Sequence, residues 1–211
     1  MADPLYLSVW FPQSDMDTLI PRLLSVMSQF PSSAARPGVE YVSIHPVSWS
    51  EPTVLERRFR PGVAPDEAAS ATREFLHPDY AYVFETHWDL WTLRSDETAA
   101  QLSRVEPALD AEPWVLAPRP VSFTAYGPEF DEGAYQQNGH IQVDFGPDTP
   151  FLHEELELTG GAGNRVRTNV QKLVNFTAAV EKNAGISGRL LWSESEENLA
   201  QKLIARLQNM Q

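Results

Sequence analysis

Apolar residues recur along this chain at two spacings, every second position and every third or fourth, and the switches between them predict the order of its elements. The run Leu5-Tyr6-Leu7-Ser8-Val9-Trp10-Phe11 is rich in strand-forming residues and stops at Pro12, the pattern of a short, largely buried strand. Ser14 or Asp15 then caps a helix whose apolar positions are Met16, Leu19, Ile20, Leu23, Leu24, Met27 and Phe30. Pro21 falls inside it, which predicts a kink or a start near Ile20. Residues 39–49 and 54–59 read as two further strands around a turn at Glu51-Pro52. Pro65-Asp66-Glu67 opens a second helix that runs to about Leu76, and residues 80–93 form the longest strand-like run. The order to this point is β-α-β-β-α-β, a ferredoxin-like unit in which an antiparallel sheet covers two helices.

The second half reads β-β-α-β-α. A short helix is expected over 95–105, then a Pro-rich stretch from Pro107 to Pro120, then strands at 121–126 and 140–145. Gly160-Gly161-Ala162-Gly163 reads as the end of a loose loop before an amphipathic helix over 164–183, with Val166, Val170, Leu173, Val174, Thr177 and Val180 on its apolar stripe. Residues 189–192 form a strand, and Ser193-x-x-Glu196 is a capping box for a last helix bearing Leu199, Leu203, Ile204 and Leu207. The expectation is an α+β fold, antiparallel sheet covered by helices, in one globular domain over 1–211, with an internal subdivision near 107–120 as the alternative. At 211 residues the chain is long enough to bury a substantial core without staples.

Composition narrows the chemistry. There is no cysteine, so disulfides, thiolate metal sites and a cysteine nucleophile are excluded. A cytoplasmic address is expected, since the start lacks the pattern of a signal peptide and no apolar run approaches a membrane span. The formal charge of −13 argues against nucleic acid or an anionic membrane as partner, because both require a basic footprint. The charge is also uneven: between residues 106 and 157 eleven acids face one base, Arg119.

Two site hypotheses follow. Glu85-x-His87-x-Asp89 places three polar side chains on one face of a strand, where carboxylates flanking an imidazole orient a base or bind a divalent metal. That is the reading of a small hydrolase or metal-dependent enzyme. The plainer alternative is a solvated sheet face, with Phe84, Trp88 and Leu90 packed inward. His140-x-Gln142-x-Asp144 repeats the spacing, and six polar groups would converge if the two strands were neighbours. The second hypothesis is a non-catalytic acidic binding protein of the inhibitor or immunity type, meeting a basic protein through Glu129, Asp131, Glu132, Asp144 and Asp148. No nucleophile elbow, zinc-protease helix or nucleotide fingerprint occurs, so the binding protein is the leading expectation, with no cofactor or metal. The glycine run beside Arg165 and Arg167 is a weak phosphate-loop candidate, better read as a surface loop, and Arg57-Arg58-x-Arg60 is a small basic cluster.

Overall fold

The computed structural model describes residues 3–13, 15–94, 114–153, 160–194 and 199–208. The strands are β1 (Pro4–Trp10), β2 (Val39–Pro46), β3 (Leu55–Val63), β4 (Tyr80–Leu93), β5 (Trp114–Tyr126), β6 (Ile141–Pro147) and β7 (Gly188–Ser193). The helices are α1 (Met16–Met27), α2 (Pro65–Ser70), α3 (Tyr135–Asn138), α4 (Thr149–Leu152), α5 (Gly160–Asn183) and α6 (Leu199–Gln208). All seven strands join one sheet in the order β3-β2-β4-β5-β6-β1-β7, every pairing antiparallel. The α+β class is therefore as expected. So is the β-α-β-β-α-β order of the first 93 residues, but β1 pairs with β6 and β7, so this unit does not close into a sheet of its own.

Alternation decides which face of each strand is covered. Phe84, Trp88 and Leu90 of β4 point into the same apolar cluster as Leu5, Leu7 and Val9 of β1 and Ile141, Val143 and Phe145 of β6. Helices α1 and α5 close this side with Leu19, Leu23 and Val26 and with Val166, Val170, Leu173 and Phe176. At its centre Trp88 packs against Phe30, Phe145 and Phe151, with ring centroids 5.3, 5.2 and 5.7 Å away. On the opposite side Ala81, Tyr126 and Phe130 form a small buried cluster, backed by Ala134 and Tyr135.

Several local expectations change. Asp15 caps α1 in a capping box with Thr18, its Oδ1 accepting from the Thr18 amide at 2.9 Å. The helix begins at Met16 and continues through Pro21, because the burial of Leu19, Ile20, Leu23 and Val26 outweighs one missing backbone bond. Gly160–Gly163 belongs to the first turn of α5 and is not a loop; tertiary packing of the stripe that follows overrides glycine's poor propensity. Trp114–Tyr126 is one strand, so Pro118 and Pro120 lie in the sheet and not in a linker. Strand β6 pairs with β5 only over Ser122–Ala125, which leaves these prolines on a stretch flanked by β4 alone, where a strand tolerates a missing donor. The helix expected over 95–105 and the capping box at 193–196 lie outside the described residues or reach beyond them. Among the described residues no helix is long and apolar enough to cross a membrane.

Strand β4 outruns its neighbour β2, whose pairing ends at Tyr41 opposite Glu85. The backbone beyond that point is satisfied by other parts of the chain. Ser33 N donates to His87 O at 2.6 Å, Lys172 Nζ donates to Asp89 O at 2.5 Å, and the buried Asn169 amide both accepts from Trp91 N and donates to Trp91 O. Trp88→Ala should cost about 3–5 kcal/mol, since it empties the centre of the aromatic cluster. Urea unfolding should show a lower midpoint at an unchanged slope; a loss below about 1 kcal/mol would contradict this packing.

Candidate functional site

The face of the sheet away from α1 and α5 carries a continuous row of side chains, one from each strand. In register these are Arg58 on β3, Tyr41 on β2, Glu85 on β4, Ser122 on β5, Asp144 on β6, Tyr6 on β1 and Trp192 on β7. Glu85 and Asp144 thus flank Ser122 from opposite sides, about 10 Å apart at the backbone by ordinary strand spacing. The condition for the two triplets to converge, that their strands be neighbours, is not met, because β5 lies between β4 and β6.

The first triplet divides. Asp89 accepts from Ser33 Oγ with one oxygen and from Ala34 N with the other, so it fastens the segment that covers the free edge of β4. Glu85 and His87 line a small pocket of about 160 Å³ with Arg36, Glu40 and Arg58. His87 is only 7 % exposed; its Nδ1 stands 3.9 Å from Glu40 Oε1 and has no hydrogen-bond partner among the described residues. Arg36 forks onto both oxygens of Glu40. Burial pushes the Glu85 carboxyl above the ordinary range, with Arg58 opposing and Glu40 adding. Burial pulls the His87 imidazole down, helped by Arg36 and opposed by Glu40. Among the described residues no three His, Asp or Glu side chains gather to hold a metal ion.

The second triplet divides as well. His140 Nδ1 accepts from Phe11 N at 3.0 Å and its ring stacks on Tyr135 at 5.0 Å, an architectural role. Gln142 and Asp144 instead line a groove of about 330 Å³. Tyr6, Trp49, Tyr126 and Trp192 supply its aromatic surface. Tyr126 Oη donates to Gln142 Oε1 at 2.7 Å, Trp192 Nε1 donates to Ser8 Oγ at 2.9 Å, and the Tyr6 and Trp192 rings lie 4.7 Å apart. Burial raises the Asp144 carboxyl, against the Gly146 amide that hydrogen-bonds its Oδ1. Sequence reasoning missed this groove, since its residues come from strands at both ends and the middle of the chain; the only local sign is that Tyr6 and Ser8 interrupt an apolar strand at alternate positions.

The acidic residues also separate. Glu129, Asp131 and Glu132 are exposed on a turn next to Val47 and Trp49. Asp131 N donates to Val47 O at 2.7 Å, and Trp49 packs edge-on against Phe130 at 5.1 Å. Val47, Asp131 and Glu132 all hold positive φ, at 59°, 46° and 56°, a conformation that costs a β-branched residue most. Val47 and Trp49 remain 53 % and 45 % exposed. Asp144 lies in the groove, and Asp148 is buried at the start of α4, its Oδ1 accepting from Asp3 N, so neither belongs to this corner. Arg58 and Arg60 are exposed at the other end of the face, Arg58 lying over the Tyr41 ring at 4.8 Å, while Arg57, opposite the core residue Val42, is exposed on the other side of the sheet. Arg165 lies over Trp91 at 5.1 Å. No protein-family model, no curated protein and no solved structure matches the chain.

Burial holds His45, His87 and His140 below the ordinary imidazole value, so the unfolded chain takes up protons first as pH falls below about 6.5. Stability is then lost through the window between that value and the lowered folded ones. Thermal melts from pH 7 to 5 should show a falling Tm, with a shallower slope in His87→Gln; parallel slopes would contradict the burial of this ring. Glu85 has the opposite sign, its ionised form being penalised in the folded state above its raised value. Glu85→Gln should therefore raise Tm at pH 7, by an amount that shrinks as the parent carboxyl becomes protonated.

Proposed function

We propose that this chain is a non-catalytic binding protein for a basic protein partner, of the inhibitor or immunity type. The observation that carries the reading is the corner where the acidic turn is tied to Val47 and Trp49. An exposed tryptophan on a backbone-anchored platform has the make-up of an interface anchor, while Glu129, Asp131 and Glu132 around it have the make-up of a steering rim. Clustered exposed carboxylates repel one another and add little to stability, so attraction of a cationic surface is the physical role left to them. The formal charge of −13 extends the same attraction to longer range.

The enzyme reading, with Glu85, His87 and Asp89 acting together, draws less support: both oxygens of Asp89 are engaged by Ser33 and Ala34, and only Glu85 and His87 share a pocket.

The test is capture of a basic protein from the native host, followed by association kinetics across a salt series. Replacing Glu129→Gln, Asp131→Asn and Glu132→Gln together should slow association roughly tenfold at low ionic strength, with the difference closing as salt screens it. Trp49→Ala should leave the on-rate nearly unchanged and speed dissociation. If the charge-neutral variant associates as fast as the parent at low salt, this corner is not the steering element.

A further inference from the structure

We infer that the open-face groove is a socket for an organic cation, the guanidinium of an arginine side chain presented by the partner. This deepens the binding-protein reading and rests on it. The groove brings four aromatic rings, Tyr6, Trp49, Tyr126 and Trp192, together with two carboxylates, Asp144 and Glu194, and among the described residues no Lys, Arg or His lines it. Aromatic faces attract cations through their quadrupole, and the attraction grows as the site is desolvated. A cavity of about 330 Å³ lies at the small end of ligand sites, a size suited to one side chain.

Asp144 supplies an independent argument. It is half-buried, its Oδ1 accepts from the Gly146 amide, and Oδ2 has no hydrogen bond among the described residues. The charges that act on its neighbour Tyr6 are Asp144 itself and Glu194, both negative, so the groove concentrates negative charge. A planar guanidinium meets both needs at once, donating to the carboxylate through its fork while its face lies on an aromatic ring. The arginines of the open face stand at its far end, where Arg36 and Arg58 line the other pocket. At that end the arginines share their pocket with Glu40 and Glu85, whereas the carboxylates of the groove on β6, β1 and β7 have no lining base among the described residues.

Trp49 makes the socket continuous with the acidic corner. It lines the groove while packing on Phe130, beside Asp131 and Glu132. A basic surface drawn in by the corner therefore meets the socket at short range. A neutral saccharide is the competing occupant, since aromatic rings and side-chain amides also suit sugars; the two carboxylates and the lack of any base favour the cation.

The experiment is an NMR titration of the intact chain with N-acetyl-arginine methylamide, following the Trp49 and Trp192 indole signals. The uncharged citrulline analogue and a neutral disaccharide serve as parallel ligands. The expected result is saturable, roughly millimolar binding of the arginine probe with both indoles shifting, weakened roughly tenfold in Asp144→Asn and in Glu194→Gln. Folding of each variant is checked by the dispersion of the same spectrum. The proposal is overturned if the probe does not saturate, if citrulline binds as well as arginine, if the disaccharide alone binds, or if both variants bind unchanged. The titration needs no protein partner, so its failure leaves the host-capture experiment to decide the binding reading separately.

Discussion

The pairing of β4 with β5 is the constraint on which the rest of this protein depends. Thirteen consecutive residue pairs, from Ala81 opposite Tyr126 to Leu93 opposite Trp114, join the two halves of the chain at the centre of the sheet. A slip of β4 by one residue would turn Phe84 and Trp88 out of the core and drive Glu85 and His87 into it, so the burial of the aromatic cluster fixes the register. Every other strand is positioned relative to this pair: β2 and β3 on one flank, β6, β1 and β7 on the other.

Such a long central pair outruns its neighbours, and the chain deals with the exposed ends in two ways. On the β4 side, beyond Glu85, the backbone is covered by Ser33, Lys172 and Asn169, which tie α5 and the segment after α1 to the strand. On the β5 side, before Ser122, proline at 118 and 120 occupies a stretch that β6 does not pair. The same edge cover accounts for Asp89, whose carboxylate is a structural clamp on residues 33 and 34.

With the helices and their core on one side, the other face of the sheet is left to side chains that a folding argument alone does not require. Its arginines gather at the β2–β3 end together with carboxylates, Arg36 paired with Glu40 and Arg58 lying over Tyr41 beside Glu85. Aromatic rings and the carboxylates Asp144 and Glu194 gather at the β6–β1–β7 end, next to a strained acidic turn. The proposed binding of a basic partner centres on this second end of the face.

The sequence by itself determined the elements whose signals are local. The apolar spacing of Leu19, Leu23 and Val26, the cap at Asp15, and the β-rich run from Tyr80 to Leu93 all depend on neighbours within a few residues, and the inward placing of Phe84, Trp88 and Leu90 follows from alternation. The exposure of Glu129, Asp131 and Glu132 was legible in the same way, from turn residues between two strands. Only the tertiary structure decided which strands are neighbours, because pairing is a contest between distant segments settled by total burial. It separated Glu85 from Asp144 by one strand, took Asp148 into the interior, engaged Asp89 as a clamp and extended α5 back over Gly160–Gly163. It also brought Tyr6 and Trp192, from opposite ends of the chain, against Asp144 to form the groove, a juxtaposition no local spacing encodes.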